Sequence, residues 1–305
     1  MKSLSLLAAA AALLLASAAH AGPVIIDGTD ANDHGFASQG ANRDGWLYMQ
    51  RALENLASNV TPTAARVVDV IGTAAGEGTA FDAIQSAFSL SSLASSGWTI
   101  RYHNGVPAIN SFMGSLSTAT TGILHLTTAN LASGDMTTGE LQAVNNFSAN
   151  INNFVGGLGN AALGGALFAM GETGNGEFGW LSALIPTITS VDIGGGGLAT
   201  DITLTAAGAS AFPGLTNADL GGADPWHGYF AGDLGGLSVL GSALQGGVQR
   251  AVIIGGGTGT IFQCGQPGQP ACPNNAVSEP GSVPLVAVAL AGIVAASRRR
   301  KPRVS

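Results

Sequence analysis

Arg66-Val67-Val68-Asp69-Val70-Ile71, followed downstream by Ala80-Phe81-Asp82-Ala83-Ile84-Gln85-Ser86-Ala87-Phe88-Ser89-Leu90-Ser91-Ser92-Leu93, sets the reading of the whole body. The first run is short, rich in β-branched residues and apolar on both faces, as a strand buried on two sides must be. The second reads as a helix, and the same alternation extends in both directions. Upstream, Val24-Ile25-Ile26 reads as a strand, and residues 46–56, apolar at 46, 47, 49, 53 and 56, as a helix. Downstream, residues 97–102 (GWTIRY) and 122–126 (GILHL) read as strands. A helix over 138–154 opens at Thr137 or Thr138 with Glu140 in its first turn, and 166–170 (ALFAM) is again a strand. Val239-Leu240 and residues 251–254 (AVII) add further strands, while the glycines at 194–197 and 255–257 read as turns rather than phosphate loops. Doubly buried strands alternating with helices predict an α/β fold: a mostly parallel sheet with helices on both faces.

This body, residues 22–262, lies between two segments of different composition. Lys2, an apolar stretch over residues 4–15 and the small-x-small pattern Ala19-His20-Ala21 read as a secretory signal peptide, 1–21, that matures at Gly22. The alternative, a permanent N-terminal membrane helix, is disfavoured by the small and polar residues 17–22. At the other end, Ser278-Glu279-Pro280-Gly281-Ser282 precedes an apolar run, 283–296, and Arg298-Arg299-Arg300-Lys301. The basic end resists crossing a membrane, and the run is shorter than the roughly 20 residues of a comfortable span. That length suits a transient, processed transmembrane segment better than an ordinary single-pass anchor.

The tail, 278–305, resembles the PEP-CTERM sorting signal of Gram-negative bacteria, with Ser278 in place of the first proline and Glu279, Pro280, Gly281 and Ser282 matching the continuation. The resemblance implies an exosortase and the secretion machinery as partners and a passing stay in the inner membrane. It further implies delivery to the cell surface or extracellular matrix, often of organisms that make exopolysaccharide and biofilm.

Charge and cysteine usage agree with export. Of 11 basic residues only Arg43, Arg51, Arg66, Arg101 and Arg250 lie between Gly22 and Pro280, against all 18 acidic residues, so residues 22–280 are lysine-free with net charge −13. Such a body repels nucleic acid and anionic polysaccharide unless divalent cations bridge them, so no nucleic-acid partner is expected. Cys264 and Cys272 bracket a Gly- and Pro-rich turn in a linker, 263–277, and a disulfide between them fits an oxidising compartment. Two cysteines without a nearby histidine make a poor zinc site.

A second resemblance concerns shape. The helix that runs through Phe154-Val155-Gly156-Gly157 into Gly164-Gly165-Ala166-Leu167-Phe168-Ala169-Met170-Gly171-Glu172 looks like the class I glutamine amidotransferase-like or flavodoxin-like arrangement. Amidotransferases of that kind carry a cysteine on the turn after this strand, as G-x-C-x-G. Met170, Gly171 and Glu172 stand there instead, so the likeness carries no thiolate chemistry.

Ligands of parallel α/β sheets bind beyond the carboxyl ends of the strands. The residues expected there are Asp27, Asp30, Asp33 and His34, then His103 and Asn104, Glu172 and Glu177, and Asp224, Trp226 and His227. A surface hydrolase acting on polysaccharide or another matrix component would use Asp33, His34, Glu172 and His227, through carboxylate acid–base chemistry or a metal-activated water. Asp27, Asp30 and Asp33 are spaced by three, unlike the every-other-residue calcium loop, so a turn built on Asx caps is favoured over calcium. A calcium-dependent adhesive module is the reading that would need that ion. Trp226-His227-Gly228-Tyr229-Phe230 reads as a loop plug, with a sugar-stacking surface as the alternative. Glu172 and Glu177, in a Gly-rich turn, read as solvated carboxylates. No G-x-S-x-G elbow occurs. A structural or binding role in the matrix, without a cofactor, is therefore the function expected, ahead of catalysis.

Overall fold

In the computed structural model, residues 23–129, 134–156, 164–171, 176–193, 201–220 and 226–256 are described. The chain enters through β1 (Val24–Asp27), whose four residues are all buried, and turns through the hairpin β2 (Gly35–Ser38) and β3 (Ala41–Asp44). Gln39 and Gly40, both at positive φ (52° and 75°), make its two-residue turn, the geometry that matches strand twist. Helix α1 (Gly45–Asn59) follows, then β4 (Val67–Ile71), α2 (Gly78–Ser89), the single turn α3 (Ser92–Ser95) and β5 (Thr99–His103). Next come α4 (Val106–Gly114), β6 (Ile123–Leu126), α5 (Thr138–Asn146), α6 (Ser148–Phe154) and β7 (Ala166–Met170). The remainder is α7 (Leu181–Leu184), β8 (Ile188–Asp192), β9 (Thr203–Leu204), α8 (Ala206–Ala211), β10 (Gly228–Gly232), β11 (Ser238–Gln245) and β12 (Val248–Gly256).

These strands form one mixed sheet in the order β5-β4-β6-β7-β1-β12-β10-β8, with β11 on β12 and β9 on β11. The five strands from β5 to β1 are mutually parallel, and β12 begins an antiparallel wing against β1. One face of the sheet, through Ile25, Val68, Val70 and Phe168, packs on α1 and α2 by way of Tyr48, Met49, Leu53, Leu56, Ile84 and Phe88. The other face, through Val24, Ile26, Leu124, Leu126 and Leu167, packs on α4, α5, α6 and α7 by way of Ile109, Met113, Val144, Ile151 and Leu181. The α/β class with helices on both faces is thus the observed architecture, and each large apolar side chain so buried is worth about 1.5–3 kcal/mol.

Two long helices of the sequence reading are broken. The helix expected over 80–93 stops at Ser89, because Ser91 takes an extended backbone and its hydroxyl accepts from the Leu93 N–H to start a new turn. The helix expected over 138–154 divides at Phe147 into α5 and α6. Gly255 and Gly256, expected in a turn, lie inside β12, where a Cβ on Gly255 would stand 2.6 Å from the Val24 carbonyl oxygen of the neighbouring strand. Among the described residues no helix is long and apolar enough to cross a membrane. The signal peptide, its cleavage pair Ala21 and Gly22, the glycines at 194–197, the cysteine pair, and the sorting motif with its apolar run lie outside the described residues.

The chain leaves β1 toward α1 on one face and leaves β7 toward α7 on the other. β7 and β1 are neighbours and parallel, so their outgoing loops diverge and open a crevice at their carboxyl ends, the place where such sheets hold ligands.

Candidate functional site

The β1 side of this crevice is built from the turn after Asp27. Asp27 Oδ1 accepts from the Thr29 backbone N–H (3.0 Å) and hydroxyl (2.8 Å), the Asx turn expected of the sequence, while Oδ2 accepts from the Tyr48 hydroxyl (2.8 Å). The carboxyl is wholly buried, and burial pushes it up to about 7 against the lowering effect of those three bonds. Gly28 comes next, and it has to be glycine, since a Cβ there would sit 2.2 Å from the Gly228 carbonyl oxygen. Two backbones cross at this point: the Gly28 carbonyl accepts from the N–H groups of His227 (2.8 Å) and Gly228 (3.1 Å), and Thr29 bridges Trp226.

The crossing brings His227 to Asp30. His227 Nε2 stands 3.2 Å from Asp30 Oδ2, an off-line ion-pair contact, and His34 Nε2 stands 2.9 Å from the same oxygen. Burial would raise the Asp30 carboxyl, but the imidazoles of His227 and His34 outweigh it and hold the group below the ordinary aspartate value. Asp30 Oδ1 is buried and has no hydrogen-bond partner among the described residues. The same loop is tied across the sheet edge by Asn32 Nδ2 donating to Thr128 Oγ1 (3.2 Å), and Thr128 in turn donates to Asp135.

The β7 side is set by Gly171, where a Cβ would fall 2.4 Å from the Phe178 ring and 2.8 Å from Glu177 Oε2. Glu177 is only 5% exposed, and its Oε1 accepts from the Ala129 N–H (3.2 Å). Between these walls and the β8–β10 ladder lies a cavity of about 190 Å³, lined by Glu177, Phe178, Ser190, Val191, Asp192, His227 and Tyr229 with neighbouring glycines, and Arg250 lies 4.7 Å over the Tyr229 ring. Ser190 is paired with Phe230 and Asp192 with Gly228, so both side chains lie on the Phe230 face of the sheet, where Phe178 meets Phe230 edge-on at 5.1 Å.

The residues expected at the site therefore divide. Asp27, Asp30, Asp33, His34, Glu177 and His227 share the β1–β7 end of the sheet, with Asp30 linking the two histidines. Asp33 belongs to the Asp30 turn through its N–H, which donates to the Asp30 carbonyl (2.8 Å). Glu177 is buried against the cavity rather than solvated. Trp226 is fully buried, the plug expected of its motif, and so presents no free face to a sugar. His103 and Asn104 stand apart at the β5 edge. Glu172 and Asp224 lie outside the described residues.

His103 belongs instead to a second polar cluster, centred on a residue the sequence reading passed over. Asp69, buried in mid-strand, accepts from Arg101 Nε (2.8 Å) and Nη2 (2.7 Å) and from the Thr121 hydroxyl (2.8 Å), and lies 2.8 Å from His103 Nε2. Burial would raise it, but these partners hold its carboxyl below the usual range. The signal was present in the sequence: one carboxylate in the middle of an apolar strand needs a partner, and Arg101 and His103 sit in register on the next strand, directly opposite Asp69 and Ile71.

Both Asp27 oxygens accept hydrogen bonds, and Asp30 Oδ2 is shared by two imidazoles. Among the described residues no three acidic, histidine or cysteine side chains stand where they could hold one metal ion. What the arrangement offers is a buried Asp–His contact, a second carboxylate across a small cavity, and an aromatic wall, a set suited to holding a polar ligand and to moving a proton. Comparison of the chain with protein-family models, with curated proteins and with solved structures yields no match.

Proposed function

We propose that the mature chain is an exported protein of the bacterial surface or extracellular matrix, sorted by an exosortase through residues 278–305, whose α/β body binds a small unit of exopolysaccharide. The observation that carries the binding role is the cavity between the loops after β7 and β1, where Glu177, Asp192, Ser190 and His227 offer hydrogen bonds beside Phe178. Its volume suits a single sugar-sized group rather than a nucleotide or a large cofactor. In shape the parallel half is flavodoxin-like or amidotransferase-like. If β1 is counted after β7, the order β5-β4-β6-β7-β1 becomes 2-1-3-4-5, the flavodoxin-like order. The absence of cysteine from residues 22–262 keeps amidotransferase chemistry out of the proposal.

A second reading, hydrolysis of the bound saccharide, is favoured by one feature: His227 is backed by Asp30 and shares the cavity with Glu177, so a base and an acid are within one pocket. The two readings separate in one experiment. Exported protein is mixed with purified matrix polysaccharide, and both retention and release of new reducing ends are measured. Binding without turnover, abolished by the cavity-filling change Ser190→Trp on the exposed edge strand, is the expected result. Turnover lost in His227→Ala would replace it with the enzymatic reading, and absence of both activities would remove the cavity as a saccharide site. For sorting, the double change of Glu279 and Pro280 to alanine is expected to leave the protein in the inner-membrane fraction; unaltered surface display would refute the exosortase route.

A further inference from the structure

We infer that a second cleft, at the opposite end of the parallel strands from the crevice, binds a single carboxylate carried on a ring of sugar size. The cleft has a volume of about 320 Å³ and lies between the last turns of α1, the short α3 and the residues that lead into β4 and β5. It shares no lining residue with the saccharide cavity and stands or falls apart from it. Glu54 and Arg66 are the charged residues that line it, and they differ in how they are held. Glu54 is fully engaged: its Oε2 accepts from Arg51 Nη1 (2.6 Å), and its Oε1 from Gln50 Nε2 (3.2 Å) and the Ser92 N–H (3.0 Å). Arg66 forms no ion pair among the described residues.

The geometry of the guanidinium names the anion. Arg66 Nη1 donates to the Ser96 carbonyl (2.9 Å), which holds the group in place, while Nε and Nη2 have no partner among the described residues. Those two nitrogens form one edge of the planar fork, the edge that matches a carboxylate. Arg101 uses the same edge in the same chain, donating from Nε (2.8 Å) and Nη2 (2.7 Å) to the two oxygens of Asp69. Arg66 therefore presents, already oriented, the grip that Arg101 closes on a carboxylate. Trp98 sets the rest of the ligand. It lines the cleft half-buried, with its ring pinned on Gly122, where a Cβ would stand 2.8 Å from Cζ3 and 2.9 Å from Cη2. The Trp46 indole N–H donates to the Asn32 carbonyl (2.9 Å), whereas the Trp98 N–H and the Ser92 hydroxyl have no partner among the described residues. A ring face and unpaired N–H and O–H donors beside a guanidinium suit a ring that carries one anionic group. The net charge of −13 over residues 22–280 repels a polyanion at long range, which limits the ligand to a single carboxylate rather than a polyuronate chain.

The test is titration of the purified full-length chain with glucuronate, glucose and cyclohexanecarboxylate at one ionic strength, followed by NMR of the ligand. Glucuronate is expected to bind roughly tenfold or more tighter than glucose, the effect of a charge-assisted fork. Cyclohexanecarboxylate separates the two sources of such a ligand. Affinity equal to that of glucuronate assigns the cleft to ring carboxylates in general, lower affinity assigns it to a sugar acid, and both outcomes support the inference. Arg66→Ala is expected to weaken glucuronate about tenfold, and Arg66→Lys, which keeps the charge without the fork, to restore only part of that. Arg43→Ala, an equal loss of charge at an exposed position of β3, is expected to leave binding unchanged, as is Ser190→Trp in the other cavity. Equal losses in Arg66→Ala and Arg43→Ala would mean attraction by net charge and would overturn the inference. So would equal affinity for glucuronate and glucose, or no binding of either acid. Glucuronate binding that is lost in Ser190→Trp and kept in Arg66→Ala would assign the carboxylate to the saccharide cavity and overturn the second cleft alone.

Discussion

Asp27 and His125 are both wholly buried and titrate in opposite senses. Asp27 is pushed up to about 7 by burial, so between about pH 4 and pH 7 the folded chain keeps a proton that the unfolded chain has lost, and stability falls as pH rises through that window. His125, stacked on Phe168 at 4.7 Å with Nδ1 3.1 Å from the Phe168 carbonyl, is pushed down to about 4 by burial. From about pH 4 to pH 6.5 the unfolded chain holds the extra proton, and stability rises with pH. Each slope is on the order of 1.4 kcal/mol per pH unit, and over the shared window the two offset. Substitution exposes them one at a time. Asp27→Asn is expected to gain stability with pH from 4 to 6.5, and His125→Leu to lose it from 4 to 7, as read from urea midpoints along a pH series. Parallel profiles for the two variants and the parent would show that neither group is held as its burial requires. The Asp27 carboxyl ends a strand at the crevice, so its titration also bears on the stability of the site loop.

Among the elements, the strands were legible and the helix ends were not. Val24-Ile25-Ile26 and ALFAM are buried on both faces, and that doubled burial is written in their composition. The breaks at Ser91 and Phe147 depend on which backbone N–H finds a partner, which apolar periodicity does not register. The antiparallel wing had a local signal in Gly246-Gly247, at φ 56° and 80°, the two-residue turn that joins β11 to β12. Val239-Leu240 and AVII read as strands from composition alone, and the glycine pair between them fixes their antiparallel direction. At the site, Asp30 and His227 were both visible, but their contact depends on a crossing of Gly28 and Gly228, 200 residues apart, that no local pattern encodes. The helix start that the sequence did specify is a full capping box. Thr137 Oγ1 accepts from the Glu140 N–H (3.2 Å) and Glu140 Oε2 from the Thr137 N–H (2.8 Å), while Oε1 of the same glutamate takes the Gly105 N–H. Thr137→Ala is expected to cost about 1 kcal/mol. Glu140→Ala is expected to cost more, because it also strands the Gly105 N–H ahead of α4. Equal urea midpoints for the two variants would show that the bond to Gly105 contributes nothing.

At the scale of the whole molecule, charge governs how the body behaves between its two termini. With five arginines against 18 acids over residues 22–280, long-range repulsion opposes folding, while each ion pair among the described residues has at least one largely buried partner. Asp69 has no exposed side-chain area beneath an Arg101 that is 47% exposed, and Arg51 and Glu54 are 4% and 13% exposed. Salt screens the diffuse repulsion more than pairs with a buried partner. Raising ionic strength from about 0.01 M to about 0.15 M shortens the screening length from about 30 Å to about 8 Å, so the melting temperature of a chain cut to residues 22–280 is expected to rise by a few degrees. The full-length chain, whose six terminal basic residues reduce the net charge from −13 to −7, should gain less. A melting temperature that falls with added salt would mean that surface ion pairs outweigh repulsion.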